Sequence, residues 1–274
     1  MDSASLREIA LAQGTDKEGG HSYTDAYERH LGHLRDRPIT LLEIGIGGYA
    51  DPGRGGASLR MWKQFFPRAQ IVGLDIEDKA HFAEDRITIL QGDQGDRASL
   101  ARLGSLHGPF DVVIDDGSHR SEHVIASFEV LFPFVREGGV YAIEDLQTSY
   151  WEKYGGSSGA RRQGTSMTLL QRLADGLNYQ EFDIPAYEPS YTDRWVQSLI
   201  FYHNLAFILK GSNLEPSNSL PAHPRSGQRY SARAARSPRQ VFRRAVPLTI
   251  RRALVRSARA VSARFRNGDS RTTG

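Results

Sequence analysis

Five short apolar runs in the first 143 residues each end at an acid or a glycine, and this repetition limits the possible folds more than any other feature. Thr40–Gly45 (TLLEIG), Gln70–Ile76 (QIVGLDI), Ile87–Leu90 (ITIL), Phe110–Asp115 (FDVVID) and Gly139–Ile143 (GVYAI) are rich in β-formers and bounded by turn residues. Such runs read as buried strands. Helical patterns lie between them: Ser58–Phe66 follows the first run, and Ser121–Val135 follows the fourth with Ile125, Phe128, Leu131 and Phe132 at helical spacing. Alternating strands and helices predict a parallel sheet covered on both faces, a doubly wound α/β fold of Rossmann-like type. Val196–Tyr202 and Leu205–Lys210 flank His203-Asn204 and predict a hairpin that closes the sheet antiparallel at seven strands. Ligands of such sheets bind at the carboxyl ends of the strands, which is where the acids and glycines fall.

These ends divide by chemistry. Glu43-Ile-Gly-Ile-Gly-Gly48 leaves the first strand through glycines, which let the backbone turn tightly and approach a ligand without interference from Cβ. Asp75 closes the second strand, where a carboxylate accepts hydrogen bonds from both hydroxyls of a ribose. Asp93 and Gln94 follow the third, placed to frame an adenine edge. Gly45, Gly47 and Gly48 run into a loop, Tyr49-Ala-Asp-Pro-Gly-Arg-Gly-Gly56, before the helix begins. A dinucleotide fingerprint instead opens directly into its helix, so the pattern is the E-x-G-x-G of methyltransferases.

Asp115-Asp116-Gly-Ser-His119 ends the fourth strand and Glu144-Asp145 the fifth, and the two are neighbours in this topology. Carboxylates held so close repel one another and require a cation. Oxygen ligands in a chain without cysteine suit a hard ion, magnesium before manganese or calcium. Asp116, Glu144 and Asp145 are the expected ligands, with Asp115 turned toward the cofactor. His119 is the expected proton acceptor, because an unperturbed imidazole titrates near neutrality. A sugar hydroxyl is a weak nucleophile whose pKa a metal ion lowers. His123 is expected to be solvated or supporting. His21 and the other histidines lack metal-ligand spacing and are expected at the surface or as caps.

Taken together, Thr15-Asp16-Lys17, LLEIGIGGY (41–49), GGASLRMW (55–62), GLDI (73–76), QGDQ (91–94), IDDGSH (114–119) and IEDLQTSYW (143–151) resemble the magnesium-dependent macrolide sugar O-methyltransferases of the mycinamicin VI type, over residues 13–215. The resemblance implies the class I S-adenosylmethionine methyltransferase fold. It implies that Thr15, Glu43, Gly45, Gly47, Gly48, Tyr49, Ser58, Asp75, Asp93, Gln94 and Asp115 contact S-adenosyl-L-methionine. It implies magnesium on Asp116, Glu144 and Asp145, His119 as base, and a substrate lid at Tyr150 and Trp151 within Gln147–Gly164. The acceptor is then a sugar on a natural product, a glycolipid or a polysaccharide, and a homo-oligomer is expected. Two rival readings stay open, a cephalosporin hydroxylase-like protein and a non-catalytic nucleotide-binding module. The intact His119 and the paired acids favour methyl transfer.

Composition separates a domain, 1–214, from an appendage, 215–274. The last 60 residues hold 14 of the 35 basic residues, all Arg, and only Glu215 and Asp269 of the 32 acids, which leaves 21 basic and 30 acidic groups in the domain. The segment 211–240 reads as a linker. Between 247 and 266, Ile250, Leu254, Ala258, Val261 and Phe265 share one helical face while Arg252, Arg256, Arg259 and Arg266 share the other. This pattern suggests a basic amphipathic helix that meets an anionic membrane surface or an acidic partner, beside the plainer reading of an unstructured solubilising tail. Nothing resembles a nucleic-acid module. The N-terminus lacks a basic region followed by an apolar run, and no stretch approaches ~18 apolar residues. A cytoplasmic protein, peripheral at the membrane through its tail, is expected.

Overall fold

The computed structural model describes residues 4–218 except 50, 52, 160–162 and 185. The chain divides into two units, 1–229 and 230–274. The basic helix expected over 247–266, and the linker from 219 onward, lie outside the described residues.

Strands β1 (Thr40–Ile44), β2 (Gln70–Asp75), β3 (Ile87–Gln91), β4 (Phe110–Asp115), β5 (Val135–Ile143), β6 (Val196–Tyr202) and β7 (Leu205–Lys210) form one seven-stranded sheet in the order β3-β2-β1-β4-β5-β7-β6. The first five pair in parallel, and β7 runs antiparallel to both β5 and β6. This is the class I methyltransferase sheet, with the expected hairpin at its edge. The strand order reverses between β1 and β4, and that switch point aims the ends of β1, β2, β4 and β5 at one crevice.

The expected limits fail at one place. The helix expected over Ser121–Val135 stops at Leu131, where a 3₁₀ turn, Phe132–Phe134, takes over around Pro133. Proline removes a donor and crowds the preceding turn, so the helix cannot continue. Strand β5 therefore starts at Val135, pairs Val135 with Phe110, and shifts register before Val140 meets Val112.

Alternate residues of the strands feed two cores. Leu41, Ile71, Val112, Ile114, Val140 and Ala142 face α1 (Leu6–Gln13), α2 (Thr24–Leu31) and α3 (Ala57–Phe65). Leu42, Ile44, Val72, Val113, Tyr141 and Ile143 face α4 (Arg97–His107), α5 (Ser121–Leu131) and α6 (Ser166–Gly176). A short α7 (Tyr191–Trp195) leads into β6. Helix α1 begins with a capping box, in which Ser5 accepts from the Glu8 amide while the Glu8 side chain returns to Ser5, and it ends on left-handed Gly14. Leu6, Ile9 and Leu31 are fully or almost fully buried. Each contributes about 1.5–3 kcal/mol of burial, enough to anchor both ends of the connection between α1 and α2. That connection crosses the carboxyl edge of the sheet. At the other end of the domain, the Asn213 amide donates to the carbonyls of Leu177 and Asp193, at 3.1 and 2.8 Å, and the Ser217 hydroxyl donates to Glu181 at 2.6 Å. Residues 213 and 217 thus still bond to the domain. Among the described residues no helix is long and apolar enough to cross a membrane.

Candidate functional site

The glycine turn after β1 is built from left-handed backbone: φ is 80° at Gly45, 78° at Gly47, 84° at Gly48 and 50° at Tyr49. Its glycines do different work. A Cβ on Gly45 would lie 2.1 Å from the Asp116 carbonyl oxygen, so Gly45 admits the neighbouring β4 turn rather than a ligand. A Cβ on Gly47 would meet nothing within 4 Å, and that face is open. Tyr49 is 93% exposed on the rim. Asp75 supports the turn from β2. Its Oδ2 accepts from the Ile46 amide at 3.1 Å and its Oδ1 from the Glu77 amide at 3.0 Å. The ammonium of Lys79, a residue with no strand-end signal, enters the same turn. It donates to the carbonyls of Gly47 and Tyr49 and lies 3.5 Å from Asp75 Oδ2.

The side expected to hold a metal has a second buried ammonium. Lys17 Nζ lies 2.7 Å from Asp116 Oδ2, 2.7 Å from Glu144 Oε1 and 3.0 Å from Glu43 Oε1, with its side chain 1% exposed. One cation therefore ties together the ends of the adjacent strands β1, β4 and β5. Burial alone pulls the ammonium down, but the charges of Asp116, Glu144 and Glu43 together hold it well above the ordinary lysine range. The Tyr27 hydroxyl donates to the same Glu144 oxygen at 2.5 Å. Burial, then the charge of Asp116, pushes Glu144 above the usual carboxylate range.

Beside this cluster, Asp116, His119 and Asp145 each offer a ligand atom within 4.8 Å of the others. His119 and Asp145 both adopt left-handed backbone, with φ of 56° and 54°. Such strain in residues other than glycine persists where surrounding structure enforces it. His119 Nε2 lies 3.7 Å from Asp145 Oδ2. The opposite oxygen, Oδ1, accepts from the Tyr23 hydroxyl at 2.8 Å and has His21 Nε2 at 3.5 Å. His21 also stacks on Tyr23 at 4.7 Å. His21 is thus part of the site, contrary to the expectation of a surface or capping role. From the expected lid, Tyr154 comes edge-on to His119 at 6.4 Å, and Tyr150 and Trp151 are half exposed beside it.

The remaining expected residues separate into outward and inward groups. Thr15 is buried two residues before Lys17, and Ser58 is buried in the first turn of α3. Asp93 is exposed at the end of β3. Gln94 turns inward: its amide nitrogen donates to Asp115 Oδ1 at 2.6 Å and Ser127 at 3.2 Å, and its oxygen accepts from the Ser118 amide at 2.9 Å. Asp115 is inward as well. It is buried against α5 and β5, where Gln94, Ser127 and Tyr141 donate to its two oxygens. Burial pushes its carboxyl up to about 6 against the pull of those donors. Both residues brace the β4 turn from inside. His123 bonds Ser118 at 2.9 Å and supports that turn as well. Lys17, His21, Tyr23, Tyr27 and Lys79 are the site residues without a strand-end signal. The only sequence mark on any of them is the Thr15-Asp16-Lys17 run.

Residues 53–146 match a family model described as a methyltransferase domain. Over 213 residues the chain is 51% identical to the demethylmacrocin O-methyltransferase of Streptomyces fradiae, covering 77% of this chain and 54% of the relative. It is 49% identical, over 213 residues and 77% of its length, to the 8-demethyl-8-alpha-L-rhamnosyl tetracenomycin-C 2'-O-methyltransferase of Streptomyces olivaceus, covering 56% of that protein. The structure superimposes on MycE methyltransferase from the mycinamycin biosynthetic pathway, in complex with Mg, SAH and mycinamycin VI, with a TM-score of 0.76 and 47% identity over 80% of this chain and 57% of that one. The chain spans little more than half the length of the curated relatives it matches.

Proposed function

We propose that the chain is a sugar O-methyltransferase, one that transfers a methyl group from S-adenosylmethionine to a hydroxyl of a sugar carried by a larger natural product. The observation that carries this reading is the convergence of Asp116, His119 and Asp145 next to an open glycine turn. Relatives acting on a macrolide and on a rhamnosyl tetracenomycin are about equally similar to it, so the reading names a sugar hydroxyl and leaves the aglycone open.

The residues suit both small ligands. Gly47 presents an open left-handed backbone, Asp75 keeps lone pairs on both oxygens, and Asp93 and Tyr49 stand exposed around them, a fit to the nucleoside and amino-acid ends of S-adenosylmethionine. Asp116, Glu144 and Asp145 present hard oxygen donors, and Lys17 and Tyr27 engage only one oxygen of Glu144. Those three residues would hold magnesium. S-adenosylmethionine supplies an electrophilic methyl group, and magnesium supplies a charge that acidifies a nearby hydroxyl. His119 accepts the hydroxyl proton at Nε2, next to Asp145 Oδ2, which steadies the imidazolium. Tyr23 and His21 hold Asp145 from its other oxygen, so the carboxylate keeps its orientation as the proton arrives. Tyr154, Tyr150 and Trp151 wall the acceptor side with apolar rings, which exclude water and leave the sugar hydroxyl as the available nucleophile.

Calorimetric titration of S-adenosylmethionine and of magnesium into wild type and Asp116→Ala tests this, together with mass spectrometry of a sugar-bearing extract incubated with both. Wild type should bind both, and an extract component should gain one methyl group only when magnesium is present. Asp116→Ala should lose turnover and keep its affinity for S-adenosylmethionine. A folded wild type that fails to bind S-adenosylmethionine would refute the reading.

A further inference from the structure

Lys79 has no part in the chemistry above, yet its side chain is 0% exposed and ends inside the glycine turn. The turn is a closed loop: the Gly56 amide donates to the Ile46 carbonyl at 2.7 Å, and the Asp51 amide to the Gly48 carbonyl at 3.1 Å. Three successive left-handed residues, Gly47, Gly48 and Tyr49, line it. Left-handed backbone turns the carbonyls of Gly47 and Tyr49 inward, and both accept from the Lys79 ammonium. The stem of Lys79 passes under Gly55, where an added Cβ would lie 3.5 Å from its Cδ, 2.9 Å from the Gly47 carbonyl and 3.0 Å from that of Ile46. The far side of the ammonium faces Asp75 Oδ2, the oxygen already shared with the Ile46 amide.

We infer that Lys79 is a positioning residue for the cofactor: an internal cation that plugs the turn between Ile46–Tyr49 and Gly55-Gly56, satisfies its inward carbonyls and ties down Asp75 at Oδ2, so that Oδ1, which accepts the Glu77 amide, keeps its second lone pair for a ribose. The argument is one of satisfaction. Carbonyls that point into a turn need donors, and the fully buried Lys79 side chain brings one to both of them. An ammonium offers three donors, and three acceptors surround it. Without it the two carbonyls must turn outward, and the loop must open with them. Asp75 would then lose the charge that fixes its rotamer. Lys79 therefore acts through Gly47, Tyr49 and Asp75, with no requirement that it touch the ligand.

This inference rests on the methyltransferase reading, and the test separates the two. Binding of SAH and of magnesium is titrated calorimetrically into wild type and Lys79→Met, which keeps the stem and removes the charge. Loss of charge-assisted hydrogen bonds at a preorganised site predicts a rise in the SAH Kd of roughly 10- to 100-fold, with magnesium affinity within about twofold of wild type. A general structural lesion would move both affinities together. In parallel, amide hydrogen exchange in ligand-free wild type should show the Ile46, Asp51 and Gly56 amides already protected, which decides the question even where Lys79→Met fails to fold. An unchanged SAH Kd in a folded Lys79→Met, or rapid exchange of the Ile46, Asp51 and Gly56 amides in the ligand-free wild type, would overturn the inference. Wild type that does not bind SAH would overturn the methyltransferase reading instead, with the exchange result still judging the plug.

Discussion

Replacing Lys17 with Met should be far more damaging than any surface charge change in this domain. The ammonium lies within 3.0 Å of three carboxylates whose side chains are 22%, 2% and 0% exposed. Removing one partner of a buried ion pair costs about 3–5 kcal/mol, because the remaining charge stays desolvated and unpaired. Here at least Glu144 and Glu43 would be left in that state, so the loss should lie at the upper end of the range. For a domain of about 200 residues that corresponds to a fall in Tm of roughly 10–15 °C. Arg97→Met supplies the control. Its contact with Glu129 is also short, at 2.9 Å, but the side chains are 54% and 40% exposed, so its loss should cost under about 1 kcal/mol. Urea unfolding followed by circular dichroism, in chelator so that no divalent ion replaces the lost charge, measures both. The double variant Lys17→Met/Glu144→Gln tests the cause directly. Removing a carboxylate along with the cation should return about 2 kcal/mol, in the range of coupling energies between contacting residues. Strict additivity of the two substitutions, or a loss in Lys17→Met no larger than in Arg97→Met, would refute the reasoning.

Three further outcomes follow from other parts of the structure. Gly45→Ala combines a left-handed φ of 80° with a Cβ 2.1 Å from the Asp116 carbonyl and should destabilise by more than about 3 kcal/mol; a loss below 1 kcal/mol in urea would show that the β4 turn yields freely. Tyr23→Phe removes the 2.8 Å hydrogen bond to Asp145 and should weaken magnesium binding by roughly tenfold, as read by calorimetry, whereas equal affinities would free Asp145 from that constraint. Lys210 donates to the carbonyls of Phe132, Pro133 and Val135 at 3.0, 2.9 and 2.6 Å, while burial pulls its ammonium down to about 7. With the folded pKa depressed, the unfolded chain holds the proton between pH 7 and 10, so wild type should gain on Lys210→Met by about 1.4 kcal/mol per pH unit through that window; a constant gap from pH 7 to 9 would mean that the carbonyls keep the lysine charged.

The sheet was legible because its signals are local. Apolar runs bounded by turns place six of the seven strands within one residue of their observed limits, and the doubly wound topology then puts Glu43, Asp75, Asp116, Glu144 and Asp145 at one edge. The direction of each side chain was less legible. Neighbouring residues on a strand face opposite ways, which sends Asp115 to Ser127 and Tyr141 while Asp116 meets Lys17. A run of two aspartates does not say which one turns toward the ligand. Least legible were the contacts made from far along the chain. Lys17 reaches Asp116 and Glu144 across 99 and 127 residues, and no spacing rule spans such distances. Lysine is also almost never fully buried without a partner, so Lys17 and Lys79 read as surface charges until the carboxylates and carbonyls around them are seen.

Those two lysines explain how so acidic an edge coexists with a stable fold. Each half of the site concentrates acceptors: carboxylates on the metal side, a carboxylate and inward carbonyls on the cofactor side. Each half also contains one buried ammonium that the protein supplies itself. On the metal side Lys17 takes up Glu43 and one oxygen each of Asp116 and Glu144, so much of the repulsion is settled before any ion arrives. On the side proposed for the cofactor, Lys79 takes up Asp75 Oδ2 and two carbonyls, which leaves the second lone pair of Oδ1, beside the Glu77 amide, and the open face of Gly47. The halves should therefore fail separately. Loss of Lys17 strikes folding first, because it exposes buried charge to no partner. Loss of Lys79 strikes cofactor binding first, because the carbonyls it releases can turn to solvent once the loop opens.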